Sequence, residues 1–320
     1  MSRWLTAFKS PALAGFFMAA ALLLGGCATQ QVAQLQAHWP AGLPEHVELS
    51  NTPFFAQAEY ECGPAALAMV MGAAGHVTTP DALVPQVYLP SRKGSLQIEM
   101  PVATRRAGLL AYTLAPTLAA VLQEVAAGHP VLVFQNLALP WYPVWHYAVV
   151  IGYDRAAGEL LLHSGTTERM PISLNAFENT WARGDHWAMV ALAPQQLPAT
   201  ASPAPLADAI VALERVKPAA AAQAYATALR RWPDNHSFLL GRGNAAYATG
   251  QLQDARTAYA AATQAQPDFA DAWNNLAQVL WEQNLTGEAL DAIRKAIALG
   301  GPRLPDYQSL ERSIQSDLKR

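Results

Sequence analysis

Gln57-Ala-Glu-Tyr-Glu-Cys62-Gly63-Pro64-Ala65-Ala66-Leu67-Ala68-Met69 carries a cysteine where a turn gives way to an apolar helical run. Pro64 suits the first turn of a helix, where its missing N–H costs nothing, and Gly72 or Gly75 can end it. Peptide N–H groups at such a helix start favour a thiolate. Downstream, the pattern predicts a helix opened by Thr79-Pro80, another across 96–107, and a third from Pro116 to Ala127 closed by Gly128. After Gly128-His129-Pro130 it changes to strands over 131–137, 146–153, 159–163 and 186–192. Helices first and an antiparallel sheet second give an α+β domain.

His146 opens an alternating strand, just after the aromatic, proline-broken loop 140–144, so its ring can face a cleft. A histidine there can take the proton of the Cys62 thiol and later hand it to a leaving amine. A turn around Asp154 to Gly158 folds this strand onto the next and brings His146 opposite roughly 163–167. Asp154 itself suits the turn.

The chain has two cysteines. Arg3 and Lys9 precede an apolar run over 11–24 that ends in Leu23-Leu24-Gly25-Gly26-Cys27, the pattern of a signal peptide. The run is short for a transmembrane helix, which needs about 20 apolar residues. It resembles a bacterial lipoprotein signal, and that resemblance implies acylation of Cys27, a lipid anchor, and an outer-membrane lipoprotein on the periplasmic face, since Ala28 is not the aspartate of inner-membrane retention. Acylation would leave Cys62 as the lone free thiol, with no disulfide in an oxidising compartment. A buried inert cysteine is the bland alternative for such a thiol.

The 320-residue chain is 52% hydrophobic with a formal charge of −3 and no lysine-rich cluster, which argues against nucleic-acid binding. The expected organisation is a signal peptide over 1–27, a tether over 28–50, the α+β domain over 51–193, a Pro/Ala-rich semi-rigid linker over 194–205 and a helical domain over 206–320. The last part repeats with a period of 34: Ala221, Tyr225 and Ala228 return as Ala255, Tyr259 and Ala262, then as Ala289, Ile293 and Ala296. Pro233-Asp234 is echoed by Pro267-Asp268, and Gly243 by Ala277. This resembles two complete tetratricopeptide repeats after a degenerate one over 206–232, with a capping helix near 306–318, an all-α array that binds a peptide or a protein partner or packs on the first domain. No His-Glu-x-x-His run, cysteine pair or glycine-rich phosphate loop points to a metal or cofactor.

Gln57, Cys62-Gly63, Ala65 and Met69, followed by Gly128-His129-Pro130-Val131 and His146-Tyr147-Ala148-Val149-Val150, resemble the peptidase domain of bacteriocin-processing transporters, the papain-like family that cleaves after double-glycine leaders. The similarity runs over roughly 54–192. It implies Cys62 as nucleophile, His146 as general base and acid, Gln57 as an oxyanion donor, and a peptide or protein substrate. A neutral amide N–H suits that donor role, because it stabilises a developing oxyanion without quenching a thiolate. Two departures stand out. Glu61 replaces the family's aspartate before the cysteine, and Leu160-Leu161-Leu162-His163-Ser164-Gly165 lacks the family's third residue, an aspartate. Ser164, by the resemblance, or His163 beside it can orient the His146 ring. Glu168 and Asp185 are nearby carboxylates off the matching position. Three functions remain open: a membrane-tethered cysteine peptidase, a peptide-binding scaffold, and a cell-wall peptide amidase or acyl transferase using the same dyad.

Overall fold

A computed structural model describes residues 29–57 and 61–318. The expected signal peptide, Cys27 with its acylation, and residues 58–60 lie outside the described residues.

The first domain is built on a seven-stranded antiparallel sheet. Its strands are β1 (His46–Glu48), β4 (Leu110–Thr113), β5 (Val131–Asn136), β6 (Trp145–Asp154), β7 (Glu159–Ser164), β8 (Thr167–Ser173) and β9 (Ala188–Leu192). The order is β4-β9-β5-β6-β7-β8, and β1 pairs with the far end of β6, His46 opposite Asp154. A separate small hairpin joins β2 (Tyr88–Leu89) to β3 (Gly94–Ser95).

Both faces of the sheet are covered, and the strands alternate accordingly. Tyr147, Val149 and Ile151 of β6 meet α2 (Cys62–Ala73), whose residues Ala65 to Met71 are all buried. Two further helices, α3 (Pro80–Val87) and α4 (Glu99–Arg106), complete that layer through Leu83, Val87 and Met100. Ala148 and Val150 point the other way, into a core shared with α5 (Leu118–Ala126) and α6 (Leu174–Ala182). Side-chain caps start three of these helices: Thr79, Thr117 and Ser173 accept from the N–H groups of Ala82, Ala120 and Ala176.

The region expected as a tether over 28–50 is instead part of the fold from Thr29 onward. Helix α1 (Gln30–Ala37) buries Val32 and Leu35, Thr29 N–H donates to Asn175 Oδ1, and Gln31 Oε1 accepts from Leu118 N–H at the start of α5. Only two residues of α1 are buried, so its apolar pattern is too sparse to stand out in the sequence. The 194–205 segment is likewise not a free linker. Fully buried Glu124 accepts from Ala199 N–H, Thr200 N–H, the Thr200 hydroxyl and His129 Nδ1, and Pro203 opens helix α7 (Pro203–Glu214).

Strands β4 and β8 and helix α6 went unread in the sequence. β4 has four residues, too few to display alternation, and β8 is an exposed sheet edge in which Pro171 is tolerated because an edge strand leaves N–H groups unpaired.

The C-terminal helices follow the 34-residue period: α8 (Pro218–Arg231), α9 (His236–Ala248), α10 (Leu252–Ala265), α11 (Ala270–Glu282), α12 (Thr286–Leu299) and the capping α13 (Leu304–Asp317). Ala221, Ala228, Ala255, Ala262, Ala289 and Ala296 are fully buried, and their small size lets neighbouring helices close on one another. The tyrosines between them fill the gaps left by glycines: a Cβ at Gly241 would fall 2.2 Å from the Tyr225 ring, and one at Gly243 would fall 2.4 Å from that of Tyr259. Leu206, Ile210 and Leu213 of α7 share the core of the sheet's second face with Tyr225 and Phe238, so the repeats continue the first domain's core.

Candidate active site

Cys62 is the first residue of α2. Glu61 provides no side-chain cap, so the first N–H groups of the helix stay open, and Pro64 has none to offer. The N–H groups of Cys62 itself, Gly63 and Tyr147 all act on the thiol. The Tyr147 contact matters for position, since it sets the Cys62 sulfur against β6 at the residue following His146. Gly63 is required here by space: a Cβ on it would stand 2.4 Å from Ser95 Oγ.

Cys62, His146 and Gln57 line one cleft of about 1010 Å³. Gln57 is fixed by its N–H to Gly165 O at 3.1 Å, and its side-chain Nε2 donates to Tyr147 O at 3.4 Å. One amide hydrogen of that side chain is left over for another acceptor. His146 Nε2 lies 2.8 Å from Ser164 Oγ. The arrangement joins helix α2, strand β6 and the end of β7: Met69 and Met71 share a buried core with Tyr147, Val149 and Ile151, and β7 is paired with β6.

His163, the other residue considered for orienting His146, points elsewhere. It is 2% exposed, with Nε2 3.3 Å from Thr52 O, Nδ1 accepting from Arg169 N–H, and its ring against Phe54. Adjacent strand residues face opposite sides of a sheet, so the two cannot both reach the cleft. Glu168 is exposed, outside the cleft lining. Asp154 accepts from Ala157 N–H in the β6–β7 turn.

Burial governs the charge state of the pair. It pushes the Cys62 thiol above its ordinary range, and the N–H groups of Tyr147, Gly63 and Cys62 offset this only in part. Burial alone pushes His146 down to about 4. Both shifts favour the neutral forms at neutral pH, a thiol and an uncharged imidazole. The helix start, expected to favour the thiolate, is outweighed by desolvation.

Several cleft residues carried no sequence signal. Ser95 sits on the two-residue β3 with its hydroxyl buried and unpartnered, while its carbonyl accepts from the Tyr147 hydroxyl. Arg92 and Lys93 come from the β2–β3 turn; Asp185, noted in the sequence as a carboxylate off the matching position, joins them from the loop before β9. The loop 137–145 flanks the cleft with exposed aromatic rings: Trp141 is 78% and Tyr142 74% exposed, and Trp145 stacks on Phe134 with ring centres 5.1 Å apart.

Residues 49–189 match the model of the Peptidase_C39 like family, and residues 206–259 and 241–303 match that of the tetratricopeptide repeat. A C39-like peptidase domain is joined to tetratricopeptide repeats. Among solved structures, a putative C39-like peptidase from Bacillus anthracis is similar at 18% identity, with 47% of this chain and 98% of that one covered and a TM-score of 0.40. The Sgt2 tetratricopeptide domain from Aspergillus fumigatus is 24% identical, covering 37% and 85% with a TM-score of 0.33. A double-glycine-motif protease from an AMS/PCAT transporter, in complex with its leader peptide, is 19% identical, covering 43% and 89% with a TM-score of 0.33. No curated protein matches the chain.

Proposed function

We propose that the C39-like domain is a cysteine peptidase of the double-glycine type, in which Cys62 is the nucleophile, His146 the general base and acid, Gln57 the oxyanion donor and Ser164 the group that orients His146. The observation that carries this reading is the convergence of Cys62, Gln57 and His146 on one cleft, with the Nε2 of His146 engaged by Ser164. For His146 to act as base, its Nε2–H donates to Ser164 Oγ and its bare Nδ1 accepts from the thiol.

As Sγ bonds to the peptide carbonyl carbon, its proton passes to Nδ1 and the carbonyl π pair moves onto oxygen, stabilised by the spare Gln57 N–H and the Cys62 main-chain N–H. Collapse of that oxyanion breaks the C–N bond, and the imidazolium gives its proton to the leaving amine, which leaves a thioester on Cys62. Water, deprotonated by His146, then releases the acid and restores the thiol. The exposed aromatic loop 137–145 offers apolar contacts to a substrate beside the cleft. The tetratricopeptide repeats serve as a protein- or peptide-binding array continuous with this domain. Acylation at Cys27 would hold the protein at the periplasmic face of the outer membrane, and with Thr29 already packed against α6 the domain would sit close to the lipid.

A second reading is favoured by the neutral resting pair and by a serine where the family has its aspartate: a cleft that holds peptides without cutting them. Incubation with a glycine-glycine leader peptide and, separately, with a cell-wall stem peptide, each against a Cys62→Ala blank, decides among the readings. Cleavage of the leader supports the peptidase, cleavage of the stem peptide alone supports an amidase, and tight binding with neither cleaved supports the scaffold.

A further inference from the structure

We infer that Asp185 is the specificity-determining residue of the cleft and takes a cationic group of the substrate, an ammonium or a guanidinium. The inference rests on the reading of Cys62 and His146 as a reactive dyad and deepens it by naming a charge that the substrate must carry.

Asp185 lines the same cleft as Cys62 and His146 and is exposed to it. Its carboxylate makes no hydrogen bond or ion pair among the described residues, which sets it apart from the other acids of this domain that have structural work. Glu124 is enclosed by four donors, Glu48 is paired with Arg169 in a two-bonded fork, and Glu178 accepts from His186 Nε2 at 2.9 Å. The nearest cation in sequence, Arg183, does not neutralise Asp185, because its Nε donates to Asn136 O at 3.1 Å. Arg92 and Lys93, on the β2–β3 turn, line the same cleft, so it carries charges of both signs, with Asp185 as its one carboxylate among the described lining residues.

The backbone around Asp185 is built to present it. Asp185 and His186 both adopt left-handed φ, +56° and +52°, which non-glycine residues rarely do. The turn is held by Asp185 N–H to Ala182 O, His186 N–H to Trp181 O, the His186–Glu178 pair, and Trp181 Nε1–H to Trp187 O. Gly184 presses on β5 so closely that a Cβ would fall 2.3 Å from Phe134 O. A carboxylate on so constrained a turn keeps its position relative to the cleft, across β5 from the strand that carries His146. An open carboxylate in the cleft that also holds the thiol favours positive ligands by ordinary Coulomb attraction.

The test uses thiol reagents of different charge, so that no substrate need be known. Full-length protein is labelled with cationic aminoethyl methanethiosulfonate and anionic sulfonatoethyl methanethiosulfonate, each rate at Cys62 being normalised to that of neutral iodoacetamide and the adduct mapped by mass. Asp185→Asn should lower the cation-to-anion rate ratio by about tenfold, as expected for losing one nearby charge in an aqueous cleft, and Arg92→Gln should raise it. Glu168→Gln, an exposed carboxylate outside the cleft, should leave it unchanged. In a second arm, peptides protect Cys62 from iodoacetamide: free pentaglycine, acetylated pentaglycine amide, and the acetylated amide with a central lysine. Protection by the free or the lysine peptide that is lost in Asp185→Asn identifies an amino-terminal or a side-chain cation respectively. A ratio unchanged in Asp185→Asn while iodoacetamide still labels Cys62 overturns this inference alone. Iodoacetamide labelling no faster than in His146→Ala overturns the dyad reading and this inference with it.

Discussion

The Nε2 of His146 stands 2.8 Å from the hydroxyl of Ser164, at the place on β7 where the sequence has no carboxylate. A neutral hydroxyl orients an imidazole but stabilises its protonated form far less than a carboxylate would. Ser164→Ala should therefore lower the His146-dependent rate of Cys62 alkylation by about three- to tenfold, the worth of one neutral hydrogen bond. Ser164→Asp should raise the His146 titration from its value of about 4, visible by NMR. An unshifted titration in Ser164→Asp would mean that the carboxylate does not reach the ring.

Thiolate absorbance in the ultraviolet should be missing at pH 7 when the wild type is compared with Cys62→Ser, because burial raises the thiol and lowers His146. The band should grow only as pH climbs past the ordinary thiol range. A full thiolate band at pH 6 would show instead a preformed thiolate–imidazolium pair.

His146 also makes stability depend on pH. Its folded value of about 4 lies below the unfolded value of about 6.5. Above the unfolded value both states hold it neutral and its contribution is intact; as pH falls toward the folded value the unfolded chain binds a proton that the folded one refuses, and stability drops by up to about 3 kcal/mol. His146→Gln should flatten that part of the melting-temperature profile between pH 6.5 and 4. Equal slopes in both proteins would contradict the burial of this imidazole.

Glu124 ties the 194–205 segment to α5. Burial raises its carboxyl, but His129, Thr200 and Ala199 outweigh that and hold it below the usual range. Glu124→Ala strands four donors and should cost about 3 kcal/mol in urea unfolding, with faster proteolysis near 199–200. The amide of Glu124→Gln can still accept, so that variant should cost less. Proteolysis unchanged in both would indicate that other contacts hold this segment.

An alanine inside a helix normally gains about 1 kcal/mol over glycine. Gly243→Ala should nevertheless destabilise the repeats by about 1–3 kcal/mol, since its Cβ would overlap the Tyr259 ring. Adding Tyr259→Leu should recover part of the loss, and a stabilised single variant would mean the ring can move aside.

The sequence by itself determined the elements with a long, regular apolar pattern: α2 behind Cys62, strands β5, β6, β7 and β9, and the 34-residue helical period. It also singled out Cys62, His146 and Gln57, because a helix-start cysteine and a strand-start histidine are local facts about the chain. Tertiary structure alone decided which residue beside His146 turns toward it, since Ser164 and His163 are neighbours separated only by the alternation of one strand. It alone decided that α1 and the 199–200 segment are packed, through polar anchors at Asn175, Gln31 and Glu124 that leave no periodic trace. It alone gave the pair its neutral resting state, because desolvation depends on what surrounds a group in space, and no spacing along the chain records that.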